Sequence, residues 1–158
     1  MTFAPGKRQP GGRNGPWHRD LRSDLERLRV FYHTSTLVSL LEDHELDAVG
    51  IADLASASES FGIDLVRFPI RDVSTPATPI ALAPLVDRIR SDLFHDRTVV
   101  VHCMGGLGRT GLVTACVLVS LGDSPDRAVA GVRSARPRAI ETHAQERFVY
   151  DFAVTVAT

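Results

Sequence analysis

Apolar positions along the chain switch repeatedly between helical and strand spacing. Leu21, Leu25 and Leu28 recur at helical intervals with Arg22, Asp24, Glu26 and Arg29 between them, which predicts an amphipathic helix from Asp20 onward. Thr36 to Leu41 is short, apolar and partly β-branched, and reads as a strand. Asp43 to Gly62 mixes acidic residues with Ser and Ala and reads as short helices. Ile63 to Phe68 is the next strand, closed by Pro69. Thr78-Pro79 starts a helix, a hydroxyl cap followed by proline at the first helical position, with Leu82, Leu85, Ile89 and Leu93 on one face. Thr98 to Val101 has the β-branched run of a buried strand. Arg109 to Leu121 is apolar on nearly every face and reads as a central helix. Ser124-Pro125 opens another helix, with Ala128, Val129 and Val132 facing inward, and Phe148 and Phe152 anchor a last one.

Helices alternating with buried strands predict a single α/β domain with a mostly parallel central sheet flanked by helices. Residues 1–18, rich in Gly and Pro between Pro5 and Pro16, read as a flexible N-terminal arm or loop, and 19–158 as the catalytic domain. The basic residues Lys7, Arg8 and Arg13 of the arm read as a solvated loop. The 158 residues are 44% hydrophobic, too many for a disordered chain. A net charge of −1 argues against sequence-independent nucleic-acid binding. The uncharged apolar stretch Thr110 to Gly122 falls short of the roughly 20 residues of a membrane helix, and no N-terminal apolar run resembles a signal peptide. Two cysteines make no disulfide framework, so the expected location is cytoplasmic. Of 18 basic residues, one is lysine.

The stretch that carries chemistry is Val101-His102-Cys103-Met104-Gly105-Gly106-Leu107-Gly108-Arg109-Thr110-Gly111. It follows a buried strand and opens a buried helix, where backbone N–H groups favour an anion. Its glycines let the backbone approach that anion closely. Cys103 and Arg109 bracket five residues. Loop dipoles favour a thiolate, and a guanidinium beside it makes paired hydrogen bonds to phosphoryl oxygens. Other readings of the loop are weaker. Gly106-x-Gly108-x-x-Gly111 matches a dinucleotide fingerprint, but the segment that should hold its second strand, Ser124 to Ala135, reads as helix. A nucleotide P-loop needs Gly at 103 and Lys at 109. Zinc at His102 and Cys103 lacks any second ligand cluster. A buried cysteine in a glycine-rich turn leaves the paired arginine unexplained.

His-Cys-x5-Arg-Thr resembles the signature of cysteine-dependent protein phosphatases. The glycine pattern resembles their dual-specificity branch, most of all the kinase-associated phosphatase (cyclin-dependent kinase inhibitor 3) group. Ala4-Pro5-Gly6-Lys7, Leu40 to Leu46, Phe68 to Pro76 and Ala139-Ile140-Glu141-Thr142 resemble the same group, so the likeness spans almost the whole chain. It implies a dual-specificity phosphatase-like fold whose first strand, limited here to Met1 to Ala4, is short or absent.

The resemblance also implies roles. Cys103 is the nucleophile that forms a phosphocysteine. The backbone of Met104, Gly105, Gly106, Leu107 and Gly108, with Arg109, binds phosphate. Asp72, 31 residues before the cysteine in Pro69-Ile70-Arg71-Asp72, is the general acid. Asp64, within a strand, and Asp87, within a helix, are less well placed. Thr110 resembles the hydroxyl that assists breakdown of the intermediate, and His102 the histidine that orders the loop. Gln145 resembles a water-positioning glutamine of some relatives. The implied substrate is a phosphorylated protein, with phosphotyrosine and also phosphothreonine or phosphoserine as targets. No metal, cofactor, nucleic acid or membrane is implied. The loop holds no lysine, which argues against multiply phosphorylated inositides. A rhodanese-like sulfurtransferase, whose common loop is one residue shorter, and a phosphate-binding pseudophosphatase stay open as alternatives. Cys116, 13 residues beyond Cys103 on a helix, is too far for a disulfide and reads as core; the five histidines other than His102 read as surface or loop positions.

Overall fold

The computed structural model describes residues 1–11 and 15–156, so Arg13 lies outside the described residues. In chain order come a short hairpin of β1 (Arg8–Gln9) and β2 (Trp17–His18), helix α1 (Leu21–Glu26) and a π-helical turn (Arg27–Phe31). Strand β3 (Thr34–Ser39), helices α2 (Asp43–Ala48) and α3 (Leu54–Ser60) and strand β4 (Asp64–Arg67) follow. Helix α4 (Pro79–Phe94), strand β5 (Thr98–His102) and helices α5 (Gly108–Ser120), α6 (Pro125–Ala135) and α7 (His143–Val156) complete the chain. The sheet order is β4-β3-β5, all parallel, with Leu37 opposite both Leu65 and Val100.

The elements form where local chemistry specifies them. Asp20, Thr78 and Ser124 each cap a helix by accepting from the backbone N–H three residues on. Helix α5 is buried along most of its length and packs against α4, α6 and α7, as expected of an element apolar on all sides. Cys116, fully buried within it, is free, and burial pushes its thiol pKa up. Strand β3 starts two residues earlier than the apolar pattern indicates. Thr34 and Thr36 belong to it as buried polar residues, and Thr36 Oγ1 donates to the buried carboxylate of Asp92 on α4 at 2.8 Å. Leu93, at the end of α4, is more exposed than its helical spacing indicates, and His18, His33, His44, His95 and His143 are all exposed.

Over the described residues of 1–18, the expectation of a flexible arm is corrected. Ala4, Pro5, Gly6 and Lys7 are buried. Thr2 pairs in parallel fashion with His102, its N–H donating to the Val101 carbonyl at 3.0 Å, so the short first strand is reduced to one bridge on the free edge of β5. Gly6 N–H donates to Asp24 Oδ2 at 2.8 Å, and Phe3 packs on Trp17 with ring centroids 5.0 Å apart. Gly and Pro here serve close packing: a Cβ on Gly6, whose φ is +70°, would stand 2.6 Å from Leu21 Cβ.

The parallel sheet sends the carboxyl ends of its strands to one edge, where ligand sites of such sheets lie. Leu40 N–H donates to the His102 carbonyl and Ile70 N–H to the Leu40 carbonyl, each at 3.0 Å. The segments leading to Glu45, Asp72 and Cys103 therefore start side by side.

Gly106 ties the arm to the loop beyond β5. Its φ is +67°, and a Cβ there would stand 2.2 Å from the Thr2 carbonyl oxygen. Gly106→Ala is expected to cost about 2 kcal/mol or more of stability and to loosen the arm. Denaturant unfolding and limited proteolysis of residues 1–18 check this; unchanged stability with an intact arm would contradict it.

Candidate active site

Cys103 directly follows β5 and is 3% exposed. The turn from Met104 to Leu107 carries the chain into α5. The N–H groups of Met104, Gly105, Gly106, Leu107 and Arg109 have no protein acceptor among the described residues. Arg136, just past α6, sets their orientation: its Nε donates to the Gly106 carbonyl at 2.7 Å and its Nη2 to the Gly105 carbonyl at 2.9 Å. In a planar trans peptide the N–H points opposite the carbonyl, so this fork turns the Gly106 and Leu107 N–H groups away from Arg136.

Gly108 departs from the expectation. Its N–H donates to Glu141 Oε2 at 3.0 Å, so it is not open to a phosphoryl group in this structure. Its lack of a side chain reflects the same contact, since a Cβ would stand 2.5 Å from Glu141 Oε2 and 2.9 Å from both polar side-chain atoms of Gln145. Two of the loop's glycines are thus required by protein neighbours, and Gly105 has nothing closer than Leu107 Cδ1 at 4.0 Å.

Arg109 lies in the first turn of α5 and is 2% exposed. Its Nη1 donates to Glu45 Oε2 at 2.7 Å and to the Ile70 carbonyl at 2.9 Å, and its Nη2 donates to Glu45 Oε1 at 2.8 Å. This fork-to-fork pairing fixes the guanidinium plane. Burial is the largest influence on Glu45 and opposes its charge, but the hydrogen bonds from Arg109 and from the Glu42 backbone N–H, with the Arg109 charge, together hold its carboxyl below the usual range. Burial likewise works against the Arg109 charge; the hydrogen bonds to Glu45 together with the negative groups around it, Cys103, Glu45 and Asp72, overcome it and raise its pKa.

Asp72 reaches the same guanidinium, with Oδ1 2.8 Å from Arg109 Nη2, while its side chain stays 65% exposed. The neighbouring Val73 has φ +58°, a strained backbone for a β-branched residue. Asp64 and Asp87 are engaged elsewhere, by Arg88 and Arg90 respectively.

His102 is fully buried. Its Nδ1 lies 3.3 Å from the Cys103 carbonyl, which only accepts, so Nδ1 carries the proton; Nε2 has no partner. Burial lowers its pKa to about 4, against the opposing hydrogen bond, so the ring is neutral at pH 7 and orders the loop without supplying charge. The Thr110 hydroxyl is buried and unpartnered, free to turn toward the loop. Gln145 is fully buried: its Oε1 accepts from Glu141 N–H at 2.9 Å and its Nε2 donates to the Ser74 carbonyl at 3.2 Å, linking the Asp72 segment to α7.

The structure thus gathers Cys103, Arg109, Asp72, Thr110 and His102 at one sheet edge. Sequence reading gave no separate role to Glu45, Arg136, Glu141 or Lys7. Glu45, Glu141 and Lys7 fall inside segments that resemble the family, and that likeness is the signal they carry.

Residues 15–123 match the family described as "Polymorphic toxin system, DSP-PTPase phosphatase". The chain is 30% identical over 146 residues to cyclin-dependent kinase inhibitor 3 of Rattus norvegicus, covering 90% of this chain and 68% of that protein. The chain belongs to the DSP-PTPase phosphatase family. The crystal structure of kinase associated phosphatase with its catalytic-site cysteine replaced by serine superposes with a TM-score of 0.87 at 26% identity, covering 99% of this chain and 85% of that one. The active form of Tk-PTP gives 0.74 at 28%, covering 96% and 99%. The expected dual-specificity phosphatase fold and the likeness to the cyclin-dependent kinase inhibitor 3 group both hold.

Two consequences are measurable. Glu45→Ala leaves Arg109 buried without its carboxylate and is expected to cost about 3 to 5 kcal/mol in denaturant unfolding; a loss under about 1 kcal/mol would show that the pair does not anchor the site. His102 binds its proton less readily folded than unfolded, so stability is present above the unfolded pKa of about 6.5 and falls as pH drops from there toward 4. The shift corresponds to a loss on the order of 3 kcal/mol. His102→Gln is expected to flatten the decline between pH 6.5 and 5 in thermal melts, and an unchanged slope would rule His102 out as its source.

Proposed function

We propose that this phosphatase hydrolyses phosphate monoesters on phosphorylated proteins through a phosphocysteine intermediate. The observation that carries the reading is the Arg109 guanidinium, locked by Glu45, which follows a loop of open backbone donors headed by Cys103 and is also touched by Asp72. A phosphate dianion brought to that loop competes with Asp72 for Arg109 Nη2. The displaced carboxyl then faces the ester oxygen. Cys103 Sγ attacks phosphorus, the P–O bond to the substrate breaks, and Asp72 donates a proton to the leaving oxygen. In the second step water attacks phosphorus, Asp72 takes its proton, and the P–S bond breaks to return the Cys103 thiolate and release phosphate.

Protein substrates are favoured by the likeness to kinase associated phosphatase and cyclin-dependent kinase inhibitor 3. The pseudophosphatase alternative is disfavoured because Cys103, Arg109 and Asp72 stand together at one site, and the sulfurtransferase alternative because the chain belongs to a phosphatase family. A cytoplasmic location fits two free cysteines.

The test is turnover of phosphotyrosine, phosphothreonine and phosphoserine peptides beside an activated aryl phosphate. Cys103→Ser is expected to abolish turnover of all of them. Asp72→Asn is expected to slow the peptides by about 10²- to 10⁴-fold and the aryl phosphate, whose leaving group hardly needs a proton, far less. Equal small losses on both would remove Asp72 from the mechanism. Residual turnover in Cys103→Ser would remove the covalent step.

A further inference from the structure

Lys7 is the chain's one lysine, and it sits where a solvated basic arm was expected. It is 6% exposed. Its ammonium lies over the Trp17 ring, 5.0 Å from the centroid. No carboxylate, hydroxyl or carbonyl pairs with it among the described residues, although a buried ammonium normally has such a partner. Burial lowers its pKa, and Cys103 works in the opposite direction.

The backbone holds Lys7 in this place. Its N–H donates to the Ala4 carbonyl at 3.3 Å, Arg19 N–H donates to the Lys7 carbonyl at 3.1 Å, and Ala4 N–H donates to the Met104 carbonyl within the anion loop at 3.4 Å. The charged groups around that loop leave a deficit. Arg109 is paired with Glu45 and Asp72, Arg136 donates to loop carbonyls, Glu141 holds the Gly108 N–H, and His102 is neutral at pH 7. Arg67 on β4 is paired with Asp43, and Asp24 on α1 with Arg19. A dianion arriving over Cys103 meets in Lys7 a buried cation with no carboxylate partner among the described residues, and that cation comes from the arm.

We propose that Lys7 is the second cation of the phosphoryl-binding site: its ammonium, held on the face of Trp17, pairs with the phosphate of the substrate at Cys103. The inference rests on reading the Cys103 loop as the phosphate site and adds a residue that sets affinity for the dianion. Burial lowers the Lys7 pKa, and an anion at the site restores the charged form, so anion binding and proton uptake at Lys7 are coupled. The lysine missing from the loop is thereby supplied by a segment nearly 100 residues earlier.

The experiment is calorimetric titration of the wild-type chain with tungstate, a dianion with no ester to hydrolyse, beside Lys7→Met, Lys7→Gln and Lys7→Arg, each checked for an unchanged thermal melt. Methionine keeps an unbranched apolar stem against Trp17 and removes only the charge; glutamine gives a second neutral variant if methionine does not fold. Loss of one charged contact is expected to weaken tungstate by about tenfold in the neutral variants. Lys7→Arg is expected to stay near wild type. Wild-type affinity is expected to fall as alkaline pH discharges Lys7, and Lys7→Arg to remove that fall. With peptide substrates the neutral variants are expected to raise KM more than they lower kcat. Equal tungstate affinity in wild type and folded Lys7→Met would overturn the inference while leaving the phosphate site intact. Equal weakening in the arginine variant would also overturn it, by showing a packing role. A wild-type chain that does not bind tungstate would overturn the site reading itself.

Discussion

The pairing of Arg109 with Glu45 is the constraint on which the rest of the site depends. Both residues are almost fully buried, and each removes from water a charge that the interior tolerates only with a matched partner. The guanidinium uses two nitrogens on the two carboxylate oxygens, a third contact on the Ile70 carbonyl and a fourth on Asp72. One side chain therefore registers α5 against α2 and against the segment that follows β4. A buried ion pair of this kind adds little net stability over an apolar pair of equal volume, but it permits few alternative arrangements. Its use here is positional: it fixes the plane in which a phosphoryl group must arrive.

Around that pair, the segment from Arg136 to Glu141 works on the loop from outside. Arg136 takes the carbonyls of Gly105 and Gly106, Ile140 N–H reaches the Leu107 carbonyl at 3.4 Å, and Glu141 takes the Gly108 N–H. Ile140 adopts φ +59°, an unfavourable backbone for a β-branched residue. The surrounding contacts hold it there, as they hold Val73 beside Asp72. The strain at Val73 borders Asp72, and the strain at Ile140 borders Glu141, which holds the loop at Gly108.

Most of the layer structure was legible in the sequence because it depends on local rules. The Thr78-Pro79 and Ser124-Pro125 starts, the β-branched run of β5 and the wholly apolar α5 each follow from neighbours within a few positions. The Cys103 to Arg109 spacing was legible for the same reason. Features made by distant partners were not. Glu45 is 64 positions from Arg109, and an acidic residue in an acidic helix carries no mark of burial. Gly and Pro in the arm are the usual marks of a mobile loop, whereas Gly6 and Gly106 are small so that Leu21 and Thr2 can pack against them. The π-helical turn at Arg27–Phe31, with Tyr32 N–H donating back to the Arg27 carbonyl at 3.3 Å, has no signature in periodicity at all.

The single lysine has a consequence for handling and labelling the protein. Its other basic side chains are arginines, which do not react with acylating reagents that target amines. The one side-chain amine is buried beside Trp17, in the arm segment whose Ala4 N–H bonds the Met104 carbonyl of the loop. Acetylation, succinimidyl dyes and amine cross-linkers, which on most proteins decorate the surface at random, have here one side-chain address. Their rate of attachment reports how often the arm lifts from the loop.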